Sequence, residues 1–140
     1  MSNFFNIHKA LIDGFKALNL PYPLGEPNRE LKDSEKGNSA WLKVSILDAQ
    51  TNVATLGYAG TDNNPGIMQI DVNVPQNEGS GLQLQIVDTI CSNFPTGKSL
   101  QYNGQAVKIT NSSISGIRNV GGFARRSVSI SYYARTKRVN

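Results

Sequence analysis

One segment of the chain alternates more regularly between apolar and polar positions than any other. Between Met68 and Val74, apolar residues occupy the even positions and polar residues the odd positions. This period of two is typical of a strand with one buried face. The pattern predicts a strand that ends before Pro75 and presents Gln69 and Asp71 on its polar side.

Weaker alternation predicts further strands before and after this one. They are expected at residues 41–47, 52–58, 99–102, 105–110 and 126–133. Asn103 and Gly104 separate two of these strands, and both residue types adopt positive φ readily, which favours a two-residue hairpin. The glycine-rich segment 57–66 and the polar segment 111–122 are expected to be loops.

Apolar residues spaced by three and four positions predict two helices. The first is capped by Ser2 and runs to about Leu18, and the second begins near Ser80 and ends before Pro95. The predicted buried positions of the second helix are Leu82, Ile86, Val87, Ile90, Cys91 and Phe94. The order of helices and strands indicates an α+β fold, a two-layer sandwich of an antiparallel or mixed sheet with both helices on one face.

A single domain accounts for the whole length of 140 residues. A domain of that size buries roughly two-thirds of its unfolded surface, which is enough for one hydrophobic core. Residues 134–140 are expected to form a flexible basic tail. Neither a signal-peptide pattern nor a run of 18 apolar residues is found in the sequence, so secretion by signal peptide and membrane insertion are not supported.

Positive charge is concentrated near the C-terminus, in a chain whose formal net charge is +4. The cations of this cluster are Arg125, Arg126, Arg135, Lys137 and Arg138. Clustered lysine and arginine attract polyanions such as nucleic acid. A solvated strand edge followed by a basic tail explains the same cluster, and both interpretations stay open.

The motifs that suggest nucleotide binding are incomplete. Residues 79–81 begin like a dinucleotide-binding turn, but Leu84 occupies the position of the third glycine and Glu78 would repel a phosphate. Residues 97–99 match the end of a phosphate-binding loop, yet they follow a helix instead of opening one. The glycines at 79 and 81 are therefore interpreted as a backbone turn before the second helix.

The residue types needed for metal or nucleophilic chemistry are scarce. His8 is the only histidine and Cys91 the only cysteine. His8 falls on the apolar face of the first helix, where a packed or rim histidine is expected, and Cys91 is expected to be a buried thiol. Neither belongs to a nucleophile turn or a metal-ligand spacing, so the sequence predicts no catalytic residue, no cofactor and no metal.

Several short motifs occur in a particular order along the chain. They are residues 56–57 (LG), 66–81 (GIMQIDVNVPQNEGSG), 94–97 (FPTG), 107–109 (VKI) and the alternating strand 127–133. In this order and spacing they resemble the tail terminator-like family of long-tailed bacteriophages, over roughly residues 3–133. The resemblance implies a structural protein with an α+β sandwich fold and without a cofactor or a catalytic residue.

The resemblance also implies how the protein would act. It would form a homo-oligomeric ring, a hexamer, on the end of the tail tube, stop tube polymerisation and present the surface to which the head-tail connector protein attaches. DNA would pass through the lumen without specific binding. Assembly would take place in the cytoplasm of the bacterial host, and the protein would then reside in the tail or neck of the virion.

Loop composition and charge select the candidate contacts with ring neighbours and partners. They are Tyr58, Asp62, Asn63, Gln69, Asp71, Arg125, Arg126 and Arg135. Tyr58, Asp62 and Asn63 are expected in a hairpin loop, and the three arginines at the ring interface or in the lumen. Two other functions stay open: another neck or tube component, such as a head-tail joining or tail tube protein, and a small nucleic-acid-binding module that uses the basic C-terminal strand.

Overall fold

The computed structural model describes residues 3–27, 31, 39–57, 60–76 and 81–137. Within them lie helices α1 (Asn3–Lys16) and α2 (Gly81–Asn93). The strands are β1 (Leu24–Gly25), β2 (Trp41–Asp48), β3 (Asn52–Val53), β4 (Thr61–Pro75), β5 (Ser99–Tyr102), β6 (Gln105–Ile114), β7 (Arg118–Val120) and β8 (Phe123–Lys137). All eight strands belong to one sheet.

Two long strands, β4 and β8, form the centre of this sheet. They pair antiparallel without interruption from Thr61 opposite Lys137 to Pro75 opposite Phe123. The strand order is β1-β2-β4-β8-β6-β5, with β3 beside β4 and β7 beside β8. Because β1 and β2 are parallel and the other pairs antiparallel, the sheet is mixed, and it curls like half a barrel. The α+β class is confirmed, and the two-layer arrangement stays a prediction.

One hydrophobic cluster joins both helices to the same side of the sheet. The even positions of β4 from Met68 to Val74 are at most 2% exposed, as the period of two predicts, and they share a cluster with apolar residues of α1 and α2. Phe15 of α1 stacks on Phe94, which follows α2, with ring centroids 6.5 Å apart. We call this side of the sheet the helix side. The opposite side, which carries the odd positions of β2, β4 and β8, is the outer face.

The central strands are longer than their apolar pattern predicts. β4 begins at Thr61, so Asp62 and Asn63 are strand residues and not members of a hairpin loop. β8 continues to Lys137, so residues 134–137 belong to the strand and not to a flexible tail, while residues 138–140 lie outside the described part. The two extensions pair with each other, and this pairing satisfies backbone donors and acceptors whatever the side chains are.

Segment 111–122 also contains strand residues where a loop was predicted. β6 continues to Ile114, and β7 (Arg118–Val120) pairs with the start of β8. Gly121 and Gly122, with φ of 56° and 85°, form the turn between them. The predicted Asn103-Gly104 hairpin is confirmed, since both residues have positive φ, 52° and 82°. The predicted strand at 52–58 is reduced to β3.

The buried side of α2 differs from the predicted stripe at two positions. Leu82 is 41% exposed, whereas Gln83 is only 1% exposed. Gln83 is buried because its Nε2 donates hydrogen bonds of 3.0 Å to the backbone oxygens of Val72 and Ala124. Cys91 packs against the core but is only partly buried. The predicted caps of the two helices, at positions 2 and 80, lie outside the described residues.

Candidate assembly interface

The outer face brings together most of the predicted contact residues. Five of them lie there: Asn63, Gln69, Asp71, Arg125 and Arg135. Arg135 is directly opposite Asn63, and Arg125 is directly opposite Asn73. The register of β4 and β8 therefore places these residues, which are up to 72 positions apart in sequence, on one continuous surface.

The other three predicted residues are placed differently. Arg126 lies opposite Val72 on the helix side, because neighbouring residues of a strand point to opposite faces. Its Nε is buried and has no hydrogen-bond partner among the described residues. Asp62 lies opposite Thr136, also on the helix side. Tyr58 is outside the described residues.

A chain of hydrogen bonds crosses the outer face at Asp71. The carboxylate Oδ1 of Asp71 accepts from Ser127 Oγ at 2.6 Å and from Gln69 Nε2 at 3.0 Å. Ser127 Oγ in turn accepts from a terminal guanidinium nitrogen of Arg118 at 2.9 Å. Arg118 and Ser127 were not among the predicted site residues, because Arg118 lies in the segment predicted as a loop and the alternation of β8 does not distinguish one serine from the next.

Arg125 is held in position by the strands beside it. Its Nε donates to Asn73 Oδ1 at 2.8 Å, and its guanidinium lies 6.0 Å from the centre of the Trp41 ring. The Trp41 ring meets Phe123 edge-on, with centroids 5.8 Å apart. A cation over an aromatic face is stabilised by the ring quadrupole. Arg125 is therefore an oriented cation at one end of the outer face.

An apolar groove with a volume of about 650 Å³ opens at the other end of the outer face. Its apolar walls include Leu47, Pro65, Ile67 and Tyr133. Asn63 and Arg135 also line it. Leu47 is 57% exposed. The sequence did not predict this groove, because it forms only where β2, β4 and β8 run side by side.

Exposed apolar side chains occur on both sides of the β4–β8 pair. On the β2 side they are Leu47, Val53 and Leu56, which belong to or follow β2 and β3. On the β6 side they are Ile114, Ile117 and Val120, which belong to or connect β6 and β7. We call these sets the β3 group and the β7 group. Leu56 is 91% exposed and Ile117 is 49% exposed.

Asp48 of β2 makes polar contacts with one side chain of β8 and one side chain of α1. Tyr132 donates its hydroxyl hydrogen to Asp48 Oδ1 at 3.0 Å, and His8 Nε2 lies 2.9 Å from Asp48 Oδ2. Burial above all, and then the negative charge and hydrogen bond of Asp48, raise the pKa of Tyr132 above the usual tyrosine value. Tyr132 therefore stays protonated at neutral pH and joins β8 to β2, while the partly exposed His8 joins α1 to them.

Metal-binding geometry is absent from the described part of the chain. Among those residues, no group of three or more His, Cys, Asp or Glu side chains is placed to hold a metal ion. The outer face offers hydrogen bonds, fixed charges and apolar contacts, the kinds of contact that protein interfaces use.

Comparison with known proteins identifies the family to which this chain belongs. The model of the family described as "Phage tail terminator protein" matches residues 6–132. The chain belongs to the phage tail terminator family. This confirms the resemblance seen in the motif order, and it makes the chain a structural protein of a phage tail that interacts with other tail components.

Further comparisons agree with the fold of this tail terminator family member. A solved structure has 18% identical residues and a TM-score of 0.69, and the match covers 90% of this chain and 94% of the other. At that identity the likeness concerns the fold alone. No curated protein sequence matches the chain. The two helices that the structure describes are both too short or too polar to cross a membrane.

Proposed function

We propose that the protein caps the phage tail tube as a closed ring of identical subunits, a hexamer, and thereby ends tube polymerisation. The ring forms the tail side of the head-tail joint and contacts the tail tube protein on one face and the head-tail connector protein on the other. DNA passes through the lumen. The subunit is a single domain of residues 1–140, with the helices as one layer and the sheet as the other, and it assembles in the host cytoplasm before residing in the tail or neck of the virion.

The observation that carries this proposal is the presence of exposed apolar groups on both sides of the β4–β8 pair. A ring with cyclic symmetry needs two different surfaces on each subunit, one for each neighbour. The β3 group and the β7 group lie on opposite sides of the central strands. Removing apolar surface from water stabilises a contact by about 25 cal/mol per Å². Pairing the β3 group of one subunit with the β7 group of the next would therefore favour a ring.

The groove beside the β3 group has the composition of a contact surface. Its walls are mainly apolar, and the polar side chains that line it include Asp48, Asn63 and Arg135. Protein interfaces commonly combine an apolar centre with a polar rim. In the proposed ring, Asn63 and Arg135 lie at the edge of the contact with the neighbour. Gln69, Asp71 and Arg125 belong to the more polar part of the outer face, and Tyr58, Asp62 and Arg126 stay predictions.

Electron microscopy of tail tubes mixed with the purified protein tests the proposal. We expect a ring at one end of each tube and no further growth when tube protein is added. Leu56→Asp should abolish capping, since Leu56 is almost fully exposed in the subunit and a charge would prevent its burial. Thr96→Asp is the matched control, because it adds the same charge at an exposed turn residue away from both apolar groups.

The same experiment separates the alternatives within the phage tail. Tubes that grow equally with and without the protein would contradict the proposed cap. Polymerisation of the protein itself into tubes would indicate a tail tube protein, and attachment to heads in the absence of tubes would indicate a head-tail joining protein. Loss of capping by Thr96→Asp as well as by Leu56→Asp would show that negative charge in general, and not the apolar contact, is responsible.

A further inference from the structure

Charge is distributed unequally between the two sides of the sheet. Among the described residues, the outer face and the strands that extend it carry six cations: Lys43, Lys108, Arg118, Arg125, Arg135 and Lys137. The only acid that the same registers place there is Asp71, whose Oδ1 already accepts two hydrogen bonds. The remaining described residues include four basic residues, lysine and arginine taken together, and five acidic residues. The excess positive charge of the described chain therefore lies on the outer face.

Hydrogen-bond donors continue along β8 between these cations. The outer positions between Arg125 and Lys137 that are not buried include Ser129, Ser131, Tyr133 and Arg135, whereas Ser127 is buried and donates its hydroxyl hydrogen to Asp71. Each of these side chains carries an O–H or N–H donor. At about 3.3 Å per residue, the row from Arg125 to Lys137 is roughly 40 Å long. Hydroxyl, guanidinium and ammonium groups are the side chains that contact phosphate oxygens in protein–DNA complexes.

One end of this row forms a basic cleft with a volume of about 500 Å³. Lys108, Arg135 and Lys137 line it, together with amide side chains that include Asn103 and Gln105. Among the described residues that line the cleft, none is acidic. A cleft with several cations and no carboxylate favours an anionic group by direct Coulomb attraction.

The chemistry of the face distinguishes nucleic acid from an acidic protein. The centre of a protein–protein interface is usually apolar and poor in charge. Between Arg125 and Ser129, the outer positions of β8 and the facing positions Gln69 and Asp71 of β4 are polar. Asn73, opposite Arg125, is polar but buried, and the apolar Ile67 lies opposite Ser131. A surface of this kind fits a regularly charged, fully hydrated polyanion better than it fits a folded partner.

We propose that the outer face of the sheet contacts the phosphate backbone of duplex DNA without reading its sequence. This inference rests on the proposed function, in which DNA passes through the ring. It assigns the basic part of the outer face to the lumen, with Arg135 at its border to the apolar groove that contacts the neighbour. The contact is electrostatic and weakens with salt, because each neutralised phosphate releases condensed counterions. Fixed cations such as Arg125 attract the phosphates whatever the base sequence.

Salt-titrated binding of the purified protein to a fluorescent 30-base-pair duplex tests the proposal by anisotropy. With about five phosphate contacts, we expect affinity to fall roughly 100-fold or more between 50 and 200 mM salt. The double variant K108Q/K137Q should bind about tenfold more weakly at 50 mM salt. It should also reduce the slope of log K against log salt by about 1.8, since about 0.9 is contributed per phosphate contact.

A matched double variant controls for net charge. K9Q/K16Q removes the same two charges from α1, where Lys9 pairs with Asp13 and Lys16 with Glu26. We expect its affinity and salt slope to equal those of the wild type. Circular dichroism melting of both double variants checks that they are folded. Equal losses in the two variants, or no binding by the wild type at 50 mM salt, would overturn the assignment.

Two further measurements separate this inference from its alternatives. Poly-L-glutamate of matched charge should bind more weakly than the duplex, and equal or tighter binding would indicate an acidic protein partner and refute the DNA contact. Tube capping is measured on the same preparations. Capping by a wild-type protein that does not bind DNA would refute this inference alone, whereas absence of capping would refute the proposed function whatever the DNA result.

Discussion

Tyr132 lies directly across from Gly66 in the β4–β8 pair, and its phenol ring fills the space that a side chain at position 66 would need. A Cβ at that position would lie 2.6 Å from Tyr132 Cζ and 2.8 Å from the backbone oxygen of Leu47. The hydroxyl of the same tyrosine reaches Asp48 on β2. Glycine at position 66 therefore allows one aromatic side chain to connect three adjacent strands.

Substitution of Gly66 by alanine should destabilise the protein. The added methyl group cannot avoid the Tyr132 ring or the β2 backbone without shifting a packed strand, and overpacking of this kind costs about 1–3 kcal/mol. Denaturant unfolding measures the change. Gly116→Ala is the control, because a Cβ there has no neighbour within 4 Å, and its stability should stay within about 0.5 kcal/mol of the wild type. Equal stability of the two variants would contradict the steric explanation.

Tyr132 should make the stability of the protein sensitive to alkaline pH. The ordinary tyrosine pKa is 10.0, and the pKa of buried Tyr132 is raised above it. Above pH 10 the unfolded chain loses this proton while the folded chain keeps it, so the free energy of unfolding decreases as pH rises, by up to about 1.4 kcal/mol per pH unit. Below pH 10 the contribution is fully present.

Comparison of the wild type with Tyr132→Phe isolates this effect. The variant lacks the titrating hydroxyl and its bond to Asp48, so it should be less stable than the wild type by about 1 kcal/mol at pH 7. The difference between the two unfolding free energies should shrink as pH rises above 10. A difference in unfolding free energy that stays constant from pH 8 to pH 11 would show that folding does not raise the pKa of the Tyr132 hydroxyl.

Gln83 should be needed for the packing of α2 against the sheet. Its Nε2 donates to two backbone oxygens, those of Val72 and Ala124, in an environment that leaves the residue 1% exposed. Gln83→Leu keeps a similar volume but leaves both oxygens without this donor, and we expect a loss of about 1–3 kcal/mol in thermal or chemical unfolding. Gln85→Leu, at an exposed position of the same helix, should be close to neutral. A stable Gln83→Leu variant would show that these oxygens have other partners.

Two variants that each lack one side of the proposed subunit contact should form one intact contact with each other when they are mixed. Leu56→Asp disables the β3 group and Ile117→Asp disables the β7 group, so each variant alone should be monomeric by light scattering and should not cap tubes. In an equimolar mixture, the intact β3 group of one chain can bind the intact β7 group of the other, and dimers but no closed rings should form. A mixture that stays monomeric, or a single variant that still forms rings, would contradict the proposed pairing.

Local pattern predicted the secondary structure best where it coincides with the core. The alternation between Met68 and Val74 correctly indicated which face of β4 is buried, because a strand with one face in the core must place apolar residues at every second position. The Asn103-Gly104 hairpin was equally visible, since few other residue pairs adopt two positive φ values. Both features depend on a few neighbouring residues.

Elsewhere, pairing between distant segments produced structure that the local pattern does not predict. By composition, residues 61–64 resemble a loop and residues 134–137 a tail, yet they extend β4 and β8 because each segment supplies the backbone partners of the other. The apolar pattern predicts Leu82 and not Gln83 as the buried residue, because only the folded chain brings the carbonyls of Val72 and Ala124 to the Gln83 amide. The order of residue types along the chain does not determine these distances.

By itself, the sequence determined the α+β class, the buried face of β4, the tight turn of the β5–β6 hairpin and, through the order of its motifs, the tail terminator family. The tertiary structure alone decided which charges share a surface. Arg125 and Arg126 are neighbours in sequence but lie on opposite faces of β8, whereas Arg125 and Asn73 are 52 positions apart and are joined by a hydrogen bond of 2.8 Å. Strand register, which depends on long-range pairing, assembled the basic outer face and the apolar groove beside it.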